Sequence, residues 1–186
     1  MTSPKSVSDY SDTELLSLYR EGSNPEYAFH LMVLKYQRRV YWLVRRMVVN
    51  HDDTDDVVQN VFVKVWKALP RFRAEAQLYT WIYRISVNEA LSFLKRRRFM
   101  RPLTDVENTL KNLVDNSSCY SGDEISKKLQ RAVLSLPEKQ RLVFNLKYFE
   151  NMSYEDMSEI LKTSVGALKA SYHHAVKKIE SLVTGD

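Results

Sequence analysis

The sequence predicts an all-α fold: two small helical domains, residues 1–100 and 123–186, joined by a flexible linker over residues 101–122, with a helix-turn-helix in the second domain. The 186 residues include only 4 Gly and 5 Pro, too few for the many turns of an all-β sandwich. These breakers sit at a few places, among them Gly22 and Pro25, Pro70, Pro102, Gly122, Pro137, Gly166 and Gly185. Between them, apolar residues recur at spacings of three and four, the period of a helix packed on one side. From Arg101 to Gly122 that pattern fails, and the segment ends polar and serine-rich (DNSSCYSG), as a linker does.

The first predicted helix, DTELLSLYREG, is short and ends at Gly22 as its C-terminal cap. The second opens at Pro25 and runs through PEYAFHLMVLKYQRRVYWLVRRMVV, with Leu31, Leu34, Val40, Leu43, Val44 and Met47 as its buried face. A third spans about Asp53 to Leu69, placing Val57, Val61, Val65 and Leu69 at intervals of four, and Pro70 closes it. A fourth spans about Glu75 to Arg98. After the linker, four short helices are expected at about 123–135, 137–149, 153–161 and 164–182. No internal repeat is evident.

Composition narrows the function classes. The single cysteine, Cys119, cannot form a disulfide framework or a zinc quartet, which fits a reducing cytosol and a cytoplasmic location. The longest clear apolar run, Val40 to Val44, has five residues, far short of the roughly 20 a membrane span needs, and the start lacks a signal-peptide core. No membrane insertion, no cofactor and no catalytic residues are expected. Formal charge is +5, with 16 basic and 11 acidic residues in 1–100 and 10 and 9 in 123–186. Any nucleic-acid contact must therefore rest on local patches.

In the second half, Ser153 and Asp156 resemble a capping box, and Met157, Ile160 and Leu161 form an apolar face. Lys162-Thr163-Ser164 is a tight turn, and Ser164 can cap a helix with Val165, Leu168, Val176 and Ile179 inward. Two helices joined this way make a helix-turn-helix whose second member suits the DNA major groove. Glu155, Asp156 and Glu159 lie on the first helix, while Lys162 to Ile179 carries four lysines and no acid. A plain helical hairpin with a solvated basic face is the alternative. Gly166 in the first turn costs propensity, which a close approach to a phosphate or a neighbouring helix would explain. His173 and His174 point about 100° apart on a helix and lack a third ligand, so no metal site is expected.

Three features mark the first half. Asp52, Asp53, Asp55 and Asp56 open a helix, where acids favour the dipole; a Mg²⁺ site for diphosphate chemistry lacks a facing acidic cluster. Between these readings stands a protein interface offering Asp56, Gln59 and Lys64. The run from Arg71 to Arg84 crowds Phe72, Tyr79, Trp81 and Tyr83 among arginines. Tyr79, Trp81 and Tyr83 lie two apart, about 200° around a helix, so one face cannot bury them all. Exposed rings among cations suit unpaired DNA. Lys95, Arg96, Arg97, Arg98 and Arg101 form either a solvated helix end or a phosphate-contact patch.

Taken together, these blocks resemble the extracytoplasmic-function (ECF) group of bacterial RNA polymerase sigma factors, over about residues 12–182. Asp53-Thr54-Asp55-Asp56-Val57-Val58-Gln59-Asn60-Val61-Phe62, followed by Trp66, is similar to the family's core-binding helix. Phe72-Arg73 through Thr80-Trp81-Ile82-Tyr83-Arg84-Ile85 with Asn88 resembles its −10 melting segment. Leu136-Pro137, Arg141-Leu142-Val143, Ser153-Tyr154 and Ser164-Val165-Gly166-Ala167-Leu168-Lys169 resemble its −35 domain.

The resemblance implies a promoter-specificity factor whose partners are core RNA polymerase, promoter DNA and an anti-sigma factor. Asp53, Asp56, Gln59, Asn60 and Phe62 would dock on the coiled coil of the polymerase's largest subunit. The Phe72–Gln77 loop, including Arg73, would hold a flipped base. Tyr79, Thr80, Trp81, Arg84 and Asn88 would line the non-template strand path, with Lys95, Arg96, Arg97 and Arg98 on phosphates; Asn88 as a helix cap or inter-helix hydrogen bond is the competing role. Ser164, Gly166, Lys169, Ala170, Ser171, His173, His174 and Lys177 would face the −35 duplex. Ser171, and the His173-His174 pair a little later, stand where the family has arginines, which weakens direct readout there, and Asn60 stands where the family usually has an acid. The competing functions are a stand-alone helix-turn-helix regulator and a magnesium-dependent enzyme.

Overall fold

The structure, a computed structural model, describes residues 6–100 and 124–184. After a 3-10 turn at Val7–Asp9 come α1 (Asp12–Glu21), α2 (Pro25–Val48), α3 (His51–Ala68), a 3-10 turn at Leu69–Arg71 and α4 (Leu78–Met100). The second half holds α5 (Glu124–Leu134), α6 (Glu138–Phe144), a π-turn at Asn145–Phe149, α7 (Tyr154–Leu161) and α8 (Val165–Thr184). The described residues contain no strand. The expected linker, including Arg101, lies outside the described residues.

Helix starts follow from local chemistry. Ser11 and Glu14 form a reciprocal capping box at α1. Asn24 Oδ1 accepts from Tyr27 N–H at 2.9 Å ahead of Pro25, and Asn50 Oδ1 accepts from Asp53 N–H at 2.9 Å. That second cap starts α3 at His51, two residues before the predicted Asp53. Gly22 holds the cap position of α1 in an extended conformation (φ −77°, ψ 156°) rather than a left-handed one. Its role is close approach: a Cβ there would lie 2.2 Å from the Leu18 carbonyl oxygen.

Two expectations need correction. Helix α4 begins at Leu78, not Glu75, and the chain before it bends, with Ala74 at a positive φ of 57°. Leu34 is 39% exposed; Met32 and Tyr36, both buried, complete the α2 stripe with Val40, Leu43 and Met47 at spacings of three and four.

Val57, Val61, Val65 and Leu69 pack inward against α2 and against Ile82, Tyr83, Val87 and Ala90 of α4. The second half has its own cluster of Ala132, Val133, Leu136, Phe144, Ala175 and Ile179. The larger core nevertheless crosses between halves, taking in Leu142, Leu146, Met152, Met157, Ile160 and Leu168. The two halves are docked, with α7 against α4.

Candidate nucleic-acid and protein interfaces

Along the outer edge of α3, Asp56, Gln59 and Asn60 are exposed and Phe62 is half-buried. Phe62 lines a shallow hollow of about 410 Å³ with Glu26, Phe29, Gln59, Val63 and Trp66. Phe29 and Trp66 pack at 4.9 Å between ring centroids and floor it with apolar surface. Asp53 turns away from this edge to pair with Arg97 at 3.0 Å. Lys64 pairs with Glu89. His51 and Asp55 pair at 3.0 Å across one turn, and among the described residues no group of three His, Cys, Asp or Glu converges on one point.

The Phe72–Arg97 stretch divides by helical face. In the docked arrangement Phe72 is 8% exposed and Thr80 1%. The 3-10 turn before Phe72 swings its ring under Trp81, with centroids 4.7 Å apart, and its carbonyl accepts from Arg20 at 2.6 Å. Thr80 falls on the same inward stripe as Tyr83, Val87 and Ala90, at spacings of three and four.

Tyr79, Trp81 and Arg84 remain half-buried, and Arg73, Gln77, Asn88, Lys95 and Arg96 are exposed. Asn88 lies on the surface within α4, away from its ends, and makes no inter-helix hydrogen bond among the described residues. Arg97 is largely covered, its side chain 14% exposed and paired with Asp53. The Arg98 side chain lies outside the described residues.

Across the seam, three carboxylates of the second half engage side chains of α2 and α4. Glu150, its side chain 7% exposed, accepts from Arg46 at 2.7 Å and from the Tyr83 hydroxyl at 2.7 Å. Asp156 accepts from the Tyr79 hydroxyl and lies 3.4 Å from Thr80 Oγ1. Glu159 meets Arg84 at 3.4 Å. Burial, reinforced by these carboxylates, pushes the Tyr79 and Tyr83 phenols above their ordinary pKa of about 10.

Sequence reasoning missed this seam. Its one trace was the concentration of acid on α7. Asp156 makes only half the expected capping box: its N–H donates to Ser153 Oγ at 3.0 Å, while its carboxylate serves Tyr79 and the Ser153 hydroxyl.

Lys162 turns the chain from α7 to α8 in the left-handed region (φ 53°), and Ser164 Oγ accepts from Ala167 N–H at 3.3 Å. Gly166, Lys169, Ala170, His173, His174 and Lys177 are exposed along α8, and Ser171 is half-buried. Nothing lies within 4 Å of a Cβ built on Gly166, so a neighbouring helix does not explain that glycine. The inner face uses Leu168, Ala175 and Ile179, while Val165 and Val176 are only half-buried. Ala175 escaped notice because its small side chain carries little hydrophobic signal.

Residues 32–100 match the Sigma-70 region 2 family and residues 126–179 the Sigma-70 region 4 family. The chain is 31% identical over 179 residues to the RNA polymerase sigma-H factor of Pseudomonas aeruginosa, covering 91% of this chain and 92% of that protein. It is 31% identical over 181 residues to the ECF RNA polymerase sigma-E factor of Escherichia coli K12, covering 92% and 94%. Its fold resembles CnrH in complex with the cytosolic domain of CnrY (TM-score 0.69, 23% identity, 94% of this chain and 98% of that one). It also resembles RpoE of Bartonella quintana bound to the anti-sigma factor NepR (TM-score 0.67, 21% identity, 85% and 98%).

Proposed function

This chain belongs to the extracytoplasmic-function group of sigma-70 family sigma factors and directs core RNA polymerase to promoters; we propose that its α3 edge docks on the coiled coil of the polymerase's largest subunit while α4 and α8 read the −10 and −35 elements. Asp56, Gln59, Asn60 and Phe62 present polar and aromatic groups on one open strip. Tyr79 and Trp81, flanked by Arg73, Arg84, Lys95 and Arg96, offer ring faces and phosphate partners to an unpaired strand. Lys169, Ala170, His173, His174 and Lys177 line the open side of α8 for the major groove. Like other sigma factors it works without a catalytic step of its own, beside polymerase in the cytoplasm. No helix among the described residues is long and apolar enough to cross a membrane. An anti-sigma factor is its expected inhibitor, as CnrY and NepR accompany the relatives above.

One observation carries the mechanism: the −10 row of Tyr79, Thr80 and Arg84 is engaged by Asp156 and Glu159 of the chain's own second half. In this docked arrangement carboxylates stand where nucleic-acid oxygens would, and the strand path is covered. Polymerase binding must draw the halves apart before strand capture. The test is transcription from a promoter library by core polymerase with and without the chain, alongside binding of the free chain to a −10 oligonucleotide. Sequence-selective initiation together with weak binding by the free chain is expected. Tight, specific duplex binding by the free chain would support a stand-alone regulator instead.

A further inference from the structure

Between the two halves lies a cavity of about 390 Å³, within the size range of small-molecule sites. Trp42 and Val49 wall it from one side, and Leu129, Val133, Leu134 and Phe149 from the other. Four polar side chains, Arg45, Arg46, Gln130 and Asn145, also line this space, and two of them hold unpartnered atoms. Arg45 is 6% exposed, and its Nε has no hydrogen-bond partner. Asn145 is fully buried, and neither its amide nitrogen nor its amide oxygen has a partner. Asn145 opens the π-turn, a distortion that recurs at functional sites.

The neighbouring cation is already matched, since Arg46 lies 2.7 Å from Glu150. A buried guanidinium beside an unsatisfied amide is costly unless an anion completes it. A ligand suited to this lining would carry one negative charge, accept hydrogen bonds from a guanidinium and an amide, and bring an apolar body against the walls. We propose that this cavity binds a small amphipathic carboxylate, an aliphatic acid of medium chain length being the simplest example. Because its walls come from both halves, occupancy would stabilise their docked arrangement and keep the strand path covered. Only this inhibitory consequence rests on the function proposed above; binding itself does not.

The probe is decanoate, compared with decanol and decylamine, titrated into the full chain by calorimetry and thermal shift. Decanoate is expected to bind saturably and raise the melting temperature, with the alcohol and amine about tenfold or more weaker. Arg45→Met should weaken decanoate about tenfold or more while leaving decanol unchanged. The same variant should melt no lower than the parent without ligand, since an unpaired buried charge is removed. Asn145→Leu is the second variant, expected to weaken decanoate selectively. Decanoate should also reduce binding of a −10 oligonucleotide to the parent chain and not to Arg45→Met. Absence of saturable binding, equal affinity for all three probes, or unchanged decanoate binding in both variants overturns the proposal. Ligand-free transcription with core polymerase reports separately on the function itself.

Discussion

Glu150→Gln is the sharpest perturbation of the docked arrangement. The carboxylate is nearly buried and serves Arg46, Tyr83 and, at 4.0 Å, Arg39. Breaking a fully buried ion pair costs about 3–5 kcal/mol because the surviving charge is stranded. Here Arg46 is 22% exposed and keeps Phe149 under its guanidinium at 4.2 Å, and the new amide still accepts one hydrogen bond. The cost is therefore smaller, about 1–3 kcal/mol. That shifts the docked-to-separated equilibrium by roughly 5–150-fold.

Two readouts must move together. Small-angle scattering should show a larger radius of gyration, and affinity of the free chain for a −10 non-template oligonucleotide should rise by a matching factor. Tyr83→Phe, which removes one hydrogen bond and leaves Arg46 paired, should give a weaker version of both. If Glu150→Gln lowers thermal stability while dimensions and affinity stay unchanged, the carboxylate stabilises the fold without covering the strand path, and the reasoning fails.

Trp81→Ala should impair promoter opening by roughly 5–150-fold, from about 1–3 kcal/mol of lost base stacking, with little effect on closed-complex formation; equal losses on natural and pre-melted templates would contradict a stacking role. Leu43→Ala removes a side chain with no exposure at the centre of the core and should cost about 2–5 kcal/mol, read from urea unfolding. A double-mutant cycle on Asp53 and Arg97, 3.0 Å apart, should give a coupling of about 0.5–1.5 kcal/mol; zero coupling would mean the pair is not maintained in solution. Burial first, then Asp12 for Tyr36 and Glu150 for Tyr83, raises both phenols above about 10. Their neutral forms are favoured in the fold, so this stability is fully present below pH 10 and is lost as pH rises above it. Urea midpoints measured across that range should fall, and Tyr83→Phe should flatten the decline.

Features set by neighbours in the chain were legible beforehand. The valines of α3, the Pro25 start and the Ser164 cap all depend on residues within about one helical turn. The same periodicity could not say which aromatic of the Arg71–Arg84 run goes inward. Tyr79, Trp81 and Tyr83 are all large aromatic side chains, and the direction from which α2 and α7 approach buries Tyr83 and leaves Trp81 half open. The inward turn of Phe72 and Thr80 was hidden for the same reason. The pairing of Arg97 with Asp53 was hidden because a cation at a helix end reads the same whether it meets a phosphate or a carboxylate.

The amino-acid order alone therefore determined the helices, their caps, the helix-turn-helix and the family. These rest on short-range hydrogen bonding and periodic burial, which repeat along the chain. Tertiary structure decided how Glu150 and Asp156 meet Arg46, Tyr83 and Tyr79, partners separated by 104, 67 and 77 positions, and how Arg45 and Asn145 come to share a cavity. No local pattern encodes such pairings, because they exist only once two separately formed hydrophobic faces have closed on each other and chosen which polar groups they trap.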